Sequence, residues 1–161
     1  MKKKPSQMLP EKKERFHREA ESKIALLKYP TPTRSAQPKD VAWMSKSSLL
    51  SLIVQVVRDG GENNLHYHNN SETVWMVMGG RARFCGVGDT VLGELGPREA
   101  ILMPGGARYW FEKVGPEDLE PFQIVGIDRA NGDDERVNLD DHKRWMENDK
   151  FLKVYEEATP A

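Results

Sequence analysis

The chain has 161 residues, a length that suits one compact domain with modest extensions. Its 24 Lys+Arg and 25 Asp+Glu nearly cancel, so no global field draws in nucleic acid or an anionic membrane, and neither is expected as a partner. A single cysteine, Cys85, excludes an internal disulfide, and no apolar run approaches the roughly 18 residues that cross a bilayer. With no apolar segment behind Lys2, Lys3 and Lys4 to serve as a leader, the expected location is cytoplasmic.

In chain order, residues 10–28 predict an amphipathic helix. Pro10 and Glu11 open it, and Phe16, Ala20, Ile24 and Leu27 recur at helical spacing. Its apolar face is expected to pack on the rest of the chain or on a second subunit. Pro30, Pro32 and Pro38 stop the helix and mark residues 29–39 as a linker. From about Trp43 the pattern changes to short β-like runs over residues 49–58, 73–78, 81–85, 90–94, 99–103, 108–113 and 122–128. Turns such as Gly79-Gly80 and the stretch from Gly86 to Asp89 separate them. This many short strands at such intervals predict an antiparallel sandwich or barrel, and a barrel also removes exposed sheet edges. After residues 131–134 the chain turns polar, and Asn138 is placed to cap a short helix carrying Leu139, His142, Trp145 and Met146. The expected organisation is a helix and linker over residues 1–40, an all-β barrel over 41–130 and a polar extension over 131–161.

The segment carrying chemistry runs from Gly60 to Gly79. His66 and His68 sit two apart, so on a strand both imidazoles leave the same face, roughly 7 Å apart along the chain. Glu72 follows after Asn69, Asn70 and Ser71, a step that reads as a turn or bulge returning the carboxylate to the same place. Two imidazoles and a carboxylate form a donor set suited to Fe(II) with open positions, and also acceptable to Mn, Ni or Zn. An isolated His-x-His is more often packed or exposed than metal-bound. Here two of the four histidines share one motif with a carboxylate at suitable spacing.

At these residues the chain resembles the cupin superfamily. Its first motif, Gly, five residues, His-x-His, three or four residues, Glu, six residues, Gly, is matched by Gly60, His66, His68, Glu72 and Gly79. The second is matched only in Pro104 and Gly106. Arg98 stands at its glycine, Tyr109 at its metal-binding histidine and Lys113 at its asparagine. The two motifs and their connection span about half the chain. The resemblance implies a single double-stranded β-helix or jelly-roll barrel, with an N-terminal helix and a short helical tail outside it. It also implies a metal held by His66, His68 and Glu72, and a homodimer.

The remaining site residues follow from alternation. With Glu72 inward, Val74, Met76 and Met78 share its face while Trp75 and Val77 point out; with Tyr109 inward, Ala107 and Phe111 do the same. Arg83 and Gln123 are the candidate polar anchors for a substrate, with Met76 and Phe111 as its apolar walls. Tyr109 is the catalytic candidate, as hydrogen-bond donor, as phenolate ligand, or as simple filler of the imidazole's place. Cys85 reads as a small buried hydrophobe. The expected function is a metal-binding protein acting on a small organic substrate, first as a non-haem Fe(II) dioxygenase. A redox-neutral isomerase, decarboxylase or lyase, and a binding module without turnover, are the alternatives.

Overall fold

A computed structural model describes residues 9–30, 35–128, 130 and 132–139, with the backbone of Val154–Tyr155. Helix α1 (Pro10–Glu21) is followed by strands β1 (Lys39–Lys46), β2 (Leu50–Val57), β3 (His66–His68), β4 (Ser71–Gly79), β5 (Ala82–Cys85), β6 (Val91–Leu95), β7 (Ala100–Met103), β8 (Trp110–Lys113), β9 (Glu120–Ile127), β10 (Arg136–Asn138) and β11 (Val154–Tyr155). No helix among the described residues is long and apolar enough to cross a membrane.

The strands form two walls. One is a six-stranded sheet in the order β11-β1-β2-β9-β4-β7, antiparallel except where β1 meets β11. The other comprises β6-β5-β8 and the β10-β3 pair. Reciprocal backbone bonds between His66 and Tyr109, at 3.1 and 2.9 Å, join these two parts edge to edge.

Pairing and burial together define the inner face of the large sheet. Trp75 lies opposite Gln123, which lies opposite Ile53; Thr73 lies opposite Val125, which lies opposite Ser51. All of these are buried. The inner row of β1 is Lys39, Val41 and Trp43, two residues apart as a strand requires. The core between the walls is built on Val57, Trp75, Val77, Phe84, Phe111 and Leu119. Three aromatic rings interlock there, Trp75 with Phe111 at 4.8 Å and Phe84 with Phe111 at 5.1 Å between centroids. Such rings bury large apolar area and fix the strand register around them.

Several boundaries differ from expectation. Helix α1 begins at Pro10 but ends at Glu21, seven residues short of the predicted Lys28, and none of its side chains is buried. The barrel begins earlier, at Lys39, inside the stretch read as linker. Asp40 is buried there, accepting from Arg58 Nη1 at 2.9 Å and from Ser35 Oγ at 2.6 Å. The barrel also ends later. Asn138, expected as a helix cap, closes β10 opposite His66. His142, Trp145 and Met146 of the expected tail helix lie outside the described residues.

Two glycines show what the turns require. Gly60 holds φ +82°, and Gly80 holds φ +70° with any Cβ only 2.3 Å from the Asp118 carbonyl oxygen. The motif's Gly79 has neither constraint, its Cβ meeting only ordinary contacts from Glu120. Arg98, at the motif's other glycine position, holds φ +71°, so the left-handed turn persists without the residue that adopts it most easily.

Candidate functional site: an anchored histidine pair inside the barrel

His66 and His68 lie on β3, with Tyr109 on one side and β10 on the other. In the β3–β10 pairing Asn138 lies opposite His66 and Arg136 opposite His68, and residues directly opposite share a face. Arg136 therefore leaves its strand on the histidines' side. The imidazole rings are 5.5 Å apart between centroids.

Each imidazole is fixed through Nδ1. His66 Nδ1 lies 2.7 Å from the Asn64 carbonyl oxygen, which can only accept, so Nδ1 carries the proton and Nε2 keeps its lone pair. His68 Nδ1 lies 2.8 Å from Asp134 Oδ2, while Asp134 Oδ1 accepts from the Asn70 N–H at 3.1 Å. A carboxylate at Nδ1 favours the same tautomer. Burial, reinforced by the charge of Arg136, pushes the His66 pKa down to about 3, so this ring is neutral near pH 7.

Tyr109 is buried against His66, with ring centroids 4.6 Å apart, and its hydroxyl accepts from Trp75 Nε1 at 3.0 Å. Burial raises its pKa to about 12, which keeps the phenol protonated. Lys39 is buried too. Its Nζ donates to Asn63 Oδ1 and sits 5.2 Å from the centroid of Phe111. Burial, then Arg136, lowers the Lys39 pKa to about 7, while Glu62 acts in the opposite direction. On the facing sheet Gln55 Nε2 donates to Gln123 Oε1 at 3.2 Å, and the buried Gln55 Oε1 and Ser71 Oγ have no hydrogen-bond partner among the described residues.

The other expected site residues divide. Gln123 and Phe111 are buried on the inner face. Glu72, Met76 and Arg83 are not on it. Ser71, Thr73, Trp75 and Val77 are buried and alternate with residues that are not, so β4 runs with the opposite parity to the expected one. The physical reason is packing. Trp75 and Val77 belong to the core, and a one-residue slip would expel both while burying a charge at Glu72. Glu72 is exposed and lines an outer cleft of about 620 Å³ with Leu50, Asn70, Gly126 and Asp128. Met76 is half-buried on the same outer face. Arg83 lies on the outside of β5, its guanidinium 2.7 Å from Glu94 and 3.1 Å from Glu112.

The three-ligand metal set therefore does not assemble: two imidazoles fit, and the carboxylate points away from them. No group of three or more His, Cys, Asp or Glu able to hold a metal occurs among the described residues. Thr73 takes the inward place expected for Glu72.

Sequence reasoning missed Lys39, Asn64, Asp134 and Arg136. Lys39 carries a signal, since it continues the period-two row of Val41 and Trp43. Asp134 and Arg136 carry almost none. They sit in a polar tail, and Asp134 reaches His68 across 66 positions.

No family model matches the chain, and none of the curated proteins does. Its resemblances are to solved structures. A double-stranded β-helix protein from Klebsiella pneumoniae is 18% identical and covers 66% of this chain and 90% of its own, with a TM-score of 0.55. The cupin domain of Cnp3 from Schizosaccharomyces pombe is 15% identical over 62% of this chain and 72% of its own, at 0.54. KdgF from a Halomonas species is 15% identical over 61% and 89%, at 0.50. At these identities the likeness concerns the fold, and it agrees with the two-walled strand arrangement described above. The chain has the double-stranded β-helix fold that these cupin structures share.

Proposed function

We propose that the barrel binds a small organic molecule between His66, His68 and Tyr109 on one wall and Gln55 and Gln123 on the other. The observation that carries this reading is the pair of imidazoles, each anchored at Nδ1 so that Nε2 is left as a fixed acceptor inside the barrel. Gln55 Oε1, without a partner among the described residues, adds a third buried acceptor, and buried polar atoms left unsatisfied cost about 1–3 kcal/mol each. Thermal melts of the whole protein across a panel of small phenols, keto acids, thiols and alcohols test it. The expected result is a stabilising compound whose effect is lost in His66→Ala and kept in Glu72→Ala. A panel without any stabilising compound, or one indifferent to His66→Ala, overturns it.

A divalent metal is the second reading, Fe(II) first and Mn, Ni or Zn after it. It is favoured by the same anchoring, because metal-binding imidazoles are commonly held at the other ring nitrogen by a carboxylate or carbonyl. It rests on two protein donors, and dioxygenase or lyase chemistry would follow only from a bound ion. Metal analysis of protein purified without chelator, together with oxygen uptake, decides it. An ion lost in His66→Ala and His68→Ala but kept in Glu72→Ala supports this reading, and no ion under any loading condition overturns it. A homodimer belongs to the same proposal, since Phe16, Ile24 and Leu27 on and after α1 remain exposed in the single chain. Light scattering at the mass of one chain overturns that part.

A further inference from the structure

Two basic side chains, Arg136 and Lys39, belong to the histidines' side of the barrel and to its buried interior. Arg136 enters from β10 on the histidines' side and is at most half-exposed. A guanidinium offers five N–H donors. One contact is made to Asn138 Oδ1, and no carboxylate among the described residues lies within ion-pairing distance of Arg136. The nearby Asp134 is engaged by His68 Nδ1 and the Asn70 N–H. His66, beside Arg136's partner His68, lies against Tyr109 at 4.6 Å, the Tyr109 hydroxyl accepts from Trp75, and the Trp75 ring lies 4.8 Å from Phe111, so one run of contacts leads from the histidines to Phe111. Lys39 brings a second basic group to it, seated over Phe111. A partly desolvated guanidinium is stabilised by an opposite charge, and a planar carboxylate matches its fork through two parallel hydrogen bonds.

We propose that the barrel's ligand is a small carboxylic acid, its carboxylate held by Arg136 with Lys39 in support. This rests on the reading of the barrel as a ligand chamber and names the class of molecule it takes. Arg136 is then the specificity-determining residue, delivered by a strand outside the two sequence motifs. The histidine Nε2 atoms and Gln55 Oε1, all acceptors, add selectivity for acids that also carry a hydroxyl or amine donor.

The test is calorimetric titration of the full chain with matched pairs, benzoate against benzamide and 2-hydroxybenzoate against 2-hydroxybenzamide, with inorganic phosphate as a separate probe. The acid of at least one pair should bind at least about 10-fold tighter than its amide, the scale of a charge-assisted hydrogen-bond pair. Arg136→Gln should abolish that preference. Arg136→Lys, which keeps the charge but loses the fork, should retain part of it and carries the test if Arg136→Gln fails to fold. Amides binding as well as acids would overturn the carboxylate assignment while leaving the ligand chamber standing. Phosphate binding more tightly than every acid, or an acid preference unchanged in both variants, would overturn it too. No binding by any acid or amide would overturn both readings together.

Discussion

Strands β3 and β4 are neighbours in sequence and carry the two halves of one motif, yet the histidines of β3 face the barrel and the glutamate of β4 faces solvent. Three residues separate His68 from Glu72, and a motif counts residues without recording which way the pleat points after the turn. On β3 the parity is fixed by polar anchors, Asn64 and Asp134 on the two Nδ1 atoms. On β4 it is fixed by apolar volume, Trp75 and Val77 in the core. Spacing identifies candidate ligands; the side chains with most to bury decide whether those candidates meet.

The sharpest way to break this comparison is to remove the residues said to set the parity. Trp75→Ala should cost about 3–5 kcal/mol, as large aromatic truncations in cores do, whereas Met76→Ala on the outer face should cost about 1 kcal/mol or less. Denaturant unfolding of the two variants measures the difference, and equal costs would restore the expected register. Stability against pH probes β3. The folded pKa of His66 is about 3 against an ordinary 6.5, so the unfolded chain binds the extra proton between these values. This group's contribution is fully present above 6.5 and is lost as the pH falls toward 3, by up to roughly 5 kcal/mol at about 1.4 kcal/mol per pKa unit. Melting curves across that window should flatten in His66→Gln relative to the parent chain, and unchanged slopes would contradict a buried neutral ring.

Tyr109→Phe is expected to be milder. It removes the acceptor from buried Trp75 Nε1, a loss of about 1–3 kcal/mol measured by urea unfolding. A neutral substitution would mean that the indole N–H finds another acceptor. Smallest of all should be Glu72→Ala, within about 0.5 kcal/mol because the side chain is exposed. A large loss of stability or of ligand binding there would return the carboxylate to the site.

Much of this was legible in advance. Seven strand runs, the barrel class and the shared face of His66 and His68 follow from period-two alternation and turn residues, which are local properties. The parity of β4 was not legible, because Val74, Met76 and Met78 are as apolar as Trp75 and Val77; a strand with two apolar faces has no sequence signal for its inside. Lys39 was read as linker because a charged residue opening a strand looks like solvent-facing chain until its burial against Phe111 and Asn63 is seen. Arg136 and Asp134 were beyond reach for a different reason. Their role exists only through pairing with β3, and a three-residue strand in a polar tail is too short to show a period.

That pairing also sets an order of assembly. A ribosome delivers the histidines long before Asp134 and Arg136, and contacts between distant positions carry the loop-closure cost that makes such topologies slow to fold. The nascent chain can pair β1 with β2, β4 with β7 and β5 with β6 and β8 while the anchor of His68 and the basic group beside it are still unmade. The proposed binding competence waits until β10 closes along β3, so a ligand that stabilised this barrel would act on the nearly finished chain and leave earlier intermediates unprotected.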